Sequence, residues 1–138
     1  MSTQHVSGKI INIKRPAAMI FSAFSDLRNF RQFIPSDSLD KIELDADKVA
    51  GNYKGIDLGA QIIERTPFSR VVFKDYKTKL FPFTFSICLD SESDDSTNFH
   101  MEVDAELNPM MKMMVGGQLQ KIIDDVTEQI AKASTQNL

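Results

Sequence analysis

The sequence predicts an α+β fold: a curved antiparallel sheet of about six or seven strands, two short helices after the first strand, and one long C-terminal helix. Three observations carry this prediction. Two adjacent segments alternate cleanly between apolar and polar residues, Phe81, Phe83, Phe85, Ile87 and Leu89 in one, Phe99, Met101, Val103, Ala105 and Leu107 in the other. Period-two alternation buries one face of a strand and wets the other. The final thirty residues change period, with apolar positions at Met111, Val115, Leu119, Ile122, Val126 and Ile130. The segments between are short and joined by turn-like sequence, which favours hairpins over parallel crossovers.

Each element has its own local cause. Residues 4 to 14 form a first strand, dense in β-branched Ile10, Ile11 and Ile13. Pro16 opens a helix with Ile20, Ala23, Phe24 and Leu27 on one face. Asp26 caps a second short helix carrying Phe30, Phe33 and Ile34, which Pro35 ends. A meander follows through Lys41 to Leu44, Val49 to Tyr53, Ala60 to Arg65 and Arg70 to Lys77, with turns at Asp45 to Asp47, Gly55 to Asp57 and Pro67. Asn108 and Pro109 then supply a cap and a first-turn proline to the last helix. Read as one uninterrupted rod, that helix spans roughly 36 Å.

Composition narrows the function classes. The chain has 138 residues, 42% hydrophobic and 25% charged, enough for a single domain over residues 1 to 138. The net charge of -3, with both signs intermingled, argues against a nucleic-acid partner. A lone cysteine excludes an internal disulfide and fits a reducing compartment. The first residues carry no signal pattern and no stretch reaches the ~20 apolar residues of a membrane span. A cytoplasmic location is the expectation, as a monomer or a weak homodimer paired through an edge strand.

Several motifs resemble the START-related lipid-transfer and polyketide-cyclase (SRPBCC) superfamily. They are Pro16-Ala17-Ala18-Met19-Ile20-Phe21 before Asp26-Leu27, the Phe33-Ile34-Pro35 stop, and Ile63-Glu64-Arg65-Thr66-Pro67 before Val71-Val72-Phe73. The last is Asp104-Ala105-Glu106-Leu107-Asn108-Pro109 running into Met110-Met111-Lys112-Met113-Met114. The resemblance covers essentially the whole chain. It implies a helix-grip fold, with the sheet wrapped round the C-terminal helix and an apolar cavity between them. It does not imply catalysis.

Two features of the residues agree with a hollow interior. Four methionines lie within Met110 to Met114, and methionine suits a surface that adapts to a guest. Gly116 and Gly117 stand in mid-helix, each costing on the order of 1 kcal/mol against alanine. The same methionines would equally fill a solid core, and paired glycines equally mark a kink. The expected ligand-binding wall is Phe73, Phe83, Phe85, Ile87, Met101 and Val103 from the strands, with Met111, Met114 and Val115 from the helix. Phe30 and Phe33 form the lid, and Asp75, Tyr53 and Tyr76 are the candidate polar groups.

Catalytic, metal and phosphate sites are not expected. Pairing Ile87 with Met101 sets Cys88 opposite His100, a thiol beside an imidazole, but on the wet face with nothing to exclude water. Glu102, Asp104 and Glu106 share that face as solvating charge. The run Asp90 to Asp94 lacks the glycine and the closing glutamate of a calcium loop. Gly51, Gly55 and Gly59 recur in a strand-turn-strand setting rather than before a helix. The two histidines, far apart in sequence, predict no metal cluster and no cofactor. The leading expectation is therefore binding or carriage of a small hydrophobic molecule. The alternatives are a cyclase or aromatase-like enzyme using Asp75 and Tyr76, and a chaperone-interacting module with a collapsed cavity.

Overall fold

The computed structural model describes residues 2–34, 36–53 and 55–136, without the side chains of Phe33, Tyr53, Thr135 and Gln136. Eight strands form one sheet: β1 (Ser2–Ser7), β2 (Ile11–Ile13), β3 (Glu43–Leu44), β4 (Lys48–Tyr53), β5 (Ile56–Thr66), β6 (Arg70–Asp75), β7 (Phe83–Ser93) and β8 (Ser96–Leu107). The spatial order is β1-β8-β7-β6-β5-β4-β3, with β2 also paired to β8, and every pairing is antiparallel. The expected first strand is thus two. The chain breaks at Gly8, where an added Cβ would lie 2.6 Å from Ile123 Cγ2 in the covering helix. Only a residue without a side chain lets strand and helix approach that closely.

The helices lie on one face. Helix α1 (Ala17–Ser25) packs on β6 and β7 and continues into a 3₁₀ turn, Leu27–Phe33. Asp26 caps that turn, its Oδ1 accepting from the Arg28 backbone N–H at 3.0 Å. Pro35, the expected stop, lies outside the described residues. After β8, Asn108 Oδ1 accepts from the Met111 N–H at 2.8 Å and starts helix α2 (Pro109–Val115). Helix α3 (Leu119–Gln136) packs on β1, β2 and β8.

The C-terminal rod is not uninterrupted. A 3₁₀ turn, Gly116–Gln118, separates α2 from α3. Gly116 is held against the sheet, its carbonyl accepting from Gln4 Nε2 at 2.6 Å. A 3₁₀ turn advances about 20° more per residue than an α-helix, so it rotates α3 relative to α2. The buried stripe accordingly continues through Leu119, Ile123 and Thr127, while Ile122 and Val126 of the expected stripe are exposed.

The core fills the space between sheet and helices. Val71, Phe99, Ala105 and Leu107 are almost wholly buried, and Phe24 of α1 lies 5.8 Å, ring to ring, from Phe99. The two wholly buried threonines are satisfied: Thr97 Oγ1 donates to the Arg15 carbonyl and Thr127 Oγ1 to the Ile123 carbonyl. No described helix is long and apolar enough to cross a membrane.

Candidate functional site

The register across β6, β7 and β8 assembles the expected strand wall. Val71, Ile87 and Met101 form one row, Phe73, Phe85 and Val103 the next, and Phe83 pairs with Ala105 beyond it. Phe73 and Phe85 stack with ring centres 4.4 Å apart, and Phe83 follows at 6.2 Å from Phe85. Phe73, Ile87, Met101 and Val103 are buried in the packed core, with Phe85, Met111 and Val115 half-buried against it. These residues share a face and pack against one another in the core.

The open space lies further along the sheet. A recess of about 610 Å³ sits over β4 and β5, bordered on one side by Ile34, Ser38, Lys41 and Ile42. Its apolar surfaces are Ile34, Ile42, Val49, Leu58, Ala60 and Phe83, and its polar groups come from Ser38, Lys41 and Asn52. Phe83 belongs to both the expected wall and this recess. A second recess of about 490 Å³ lies between α1, the 3₁₀ turn and the end of α3, with Met19, Ile20, Phe24, Phe30 and Ile130 in its walls. Phe30 is thus a wall residue of that space.

Other expected site residues sit elsewhere. Met114 is 61% exposed, and Met110 and Met113 are more exposed still. Met111 and Val115 face inward one turn apart, which leaves Met114 about 100° round the helix, toward solvent. Asp75 ends β6, its Oδ1 accepting from the Phe83 N–H at 3.1 Å. The Tyr76 hydroxyl donates to Glu43 Oε2 at 2.7 Å, and Lys77 Nζ reaches Glu43 Oε1 at 2.7 Å. The hydrogen bonds from Lys77 and Tyr76 hold the Glu43 carboxyl below its usual range. The side chains of Phe33 and Tyr53 lie outside the described residues.

The residues missed by sequence reasoning had a faint signal. Gly51 and Ala60 give β4 and β5 a floor of minimal height under the larger recess, which Gly59 lines as well. A Cβ at Gly51 would come within 3.1 Å of Ile42 Cγ1, so the small residue admits that side chain. The glycine spacing was visible, but it reads equally as turn chemistry until Ile42 is placed above Gly51.

The opposite face of the sheet carries a polar cluster. Cys88 pairs directly with His100 as expected, and His100 Nε2 lies 2.7 Å from Glu102 Oε2. The separation of the histidines in sequence is misleading, because β1 runs beside β8 with His5 opposite Asp104. His5 Nδ1 is 2.7 Å from Asp104 Oδ1, and its Nε2 is 3.9 Å from Glu102 Oε1. Burial, reinforced by the Glu102 carboxylate, pushes the Cys88 thiol above its usual range. That is the reverse of what an activated nucleophile requires.

Comparison with known proteins bears on the fold. No protein-family model matches the chain, and no curated protein matches it. Among solved structures, norcoclaurine synthase from Thalictrum flavum superposes with a TM-score of 0.73 at 12% identity, covering 98% of this chain and 86% of that one. A START superfamily protein from Mycobacterium smegmatis gives 0.57 at 17% identity, over 91% and 98% of the two chains. A protein from Rhizobium loti gives 0.63 at 17% identity, over 96% and 99%. The antiparallel sheet, the paired short helices and the C-terminal helix thus make this chain a helix-grip protein, with the fold of the START-related SRPBCC structures.

Proposed function

We propose that this chain binds a small, largely apolar molecule in the recess over β4 and β5. The observation that carries the reading is the recess itself: about 610 Å³, floored by small residues and walled by Ile34, Ile42, Val49, Leu58 and Phe83. Ligand sites typically have volumes of about 300–1,000 Å³, apolar walls and a few polar groups that orient the guest. Ser38 and Lys41 are placed to do the orienting. The similarity in fold to norcoclaurine synthase, which has been crystallised with dopamine and hydroxybenzaldehyde, supports a ring-sized guest with polar substituents.

Burying a single aromatic ring contributes about 4–6 kcal/mol before ordering costs. Affinity from the apolar walls alone is therefore no tighter than about tens of micromolar. The test is titration with the fluorescent aromatic anion anilinonaphthalene sulfonate, alongside native mass spectrometry for a co-purifying guest. Leu58→Trp fills the recess from a half-buried position and should weaken probe binding at least about tenfold, whereas Met114→Trp should leave it unchanged. Equal probe affinity in wild type and Leu58→Trp would remove the site.

A further inference from the structure

We infer that the uncovered face of the sheet, across β7 and β8, holds a divalent cation of the zinc class, with Cys88, His100 and Glu102 as its protein ligands and His5 of β1 supporting Glu102. The site is separate from the recess and stands independently of the reading proposed for it.

Sheet geometry makes the cluster. Cys88 and His100 face each other across β7 and β8, and Glu102 follows His100 by two residues on the same side of β8. The ligand atoms of these three lie within 4.8 Å of one another. Strand β1 brings His5 to the other oxygen of Glu102. The three ligands and His5 all stand on strands within one hydrogen-bonded sheet, which is a stiffer support than loops.

The distances suit tetrahedral zinc. Bonds of about 2.3 Å to sulfur and 2.0–2.2 Å to nitrogen or oxygen set sulfur–oxygen separations near 3.6 Å and nitrogen–oxygen separations near 3.3 Å. Cys88 Sγ is 3.9 Å from Glu102 Oε2, within a few tenths of the first value. The His100 to Glu102 contact of 2.7 Å must open by about half an ångström for an ion to enter between them.

The outer contacts point the same way. Asp104 holds His5 at Nδ1 and leaves Nε2 directed at Glu102 Oε1, so that His5 supports the ligating carboxylate from outside, as such partners commonly do around zinc. A thiolate and a carboxylate together neutralise a dication, the thiol proton passing to solvent on binding. The mixture of sulfur, nitrogen and oxygen donors selects against magnesium and calcium, which take oxygen alone. Arg70, opposite Cys88 on β6, donates from Nη2 to Ser86 Oγ at 3.1 Å. A thiol nucleophile fits less well, because one carboxylate serves both the thiol and the imidazole.

Titration of the metal-free full chain with cobalt(II), followed by displacement with zinc, tests the proposal. One cobalt per chain should bind, with tetrahedral visible bands and a thiolate-to-cobalt charge-transfer band. Cys88→Ser should abolish the charge-transfer band. His100→Ala and His5→Ala should retain that band and weaken binding, each by at least about tenfold. Circular dichroism confirms that each variant folds, and Glu102→Gln, also expected to weaken binding, substitutes for any that does not. Absence of a charge-transfer band in wild type, or equal cobalt affinity in wild type and the His100 and Glu102 variants, would overturn the site.

Discussion

At the scale of single residues, the charges with resolved shifts are mainly exposed pairs whose effects are local. Asp26 is the clearest case. The hydrogen bond from the Arg28 side chain, then that from its backbone N–H, lowers the Asp26 carboxyl from 3.8 to about 2. A carboxyl lowered on folding contributes stability above its unfolded value and loses it as pH falls through the folded one. Asn caps about as well as Asp, so Asp26→Asn removes the charge while leaving the cap. Wild type should be the more stable at pH 7, and the difference should shrink between pH 3.8 and about 2. Urea midpoints that differ equally at both ends of that window would contradict the assignment.

At the scale of elements, three glycines separate close approach from mere permissiveness. A Cβ at Gly8 would meet both Ile123 Cγ2 and the Met101 carbonyl, at 2.6 and 3.2 Å. Gly8→Ala should therefore push α3 off the sheet and cost about 1–3 kcal/mol, the usual penalty of overpacking. Gly117, in the turn between α2 and α3, has nothing within 4 Å of an added Cβ. Gly117→Ala should stabilise by about 0.5–1 kcal/mol, since it restricts the unfolded chain and improves helix propensity. Thermal melts of the two variants moving in the same direction would refute this account. Gly116 differs from both, because the bond from Gln4 ties it to the first strand.

At the scale of the whole molecule, the recess follows from a mismatch of widths. Seven strands side by side, at about 4.8 Å spacing, span about 29 Å. A packed helix covers about 10 Å. With α3 on β1, β2 and β8 and α1 on β6 and β7, the long helices among the described residues pack mainly away from the β4–β5 end. Ile34, Ser38, Lys41 and Ile42 border it instead, and with Gly51 and Ala60 beneath, space remains. The filled part behaves as an ordinary core: Phe99→Ala, at a wholly buried position, should cost about 3–5 kcal/mol in urea denaturation. Leu58→Trp should leave the urea midpoint near wild type, because it extends into space rather than into packed atoms. A large loss of stability in that variant would show that the recess closes in solution.

The sequence by itself determined the antiparallel sheet, the capped helices and the pairing of Cys88 with His100. Those features depend on local rules: alternation along a strand, cap residues, and the register of one hairpin. Tertiary structure alone decided three things. The 3₁₀ turn at Gly116–Gln118 shifted the buried stripe to Ile123 and Thr127, a change of phase that no periodic pattern registers. Tertiary packing set a recess over β4 and β5, because unfilled space depends on which elements overlie which strands. His5 came to Glu102 through the pairing of β1 with β8, a contact between the two ends of the sheet's chain order. Each is a relation between distant segments, and a linear pattern carries the faces of elements but not their neighbours.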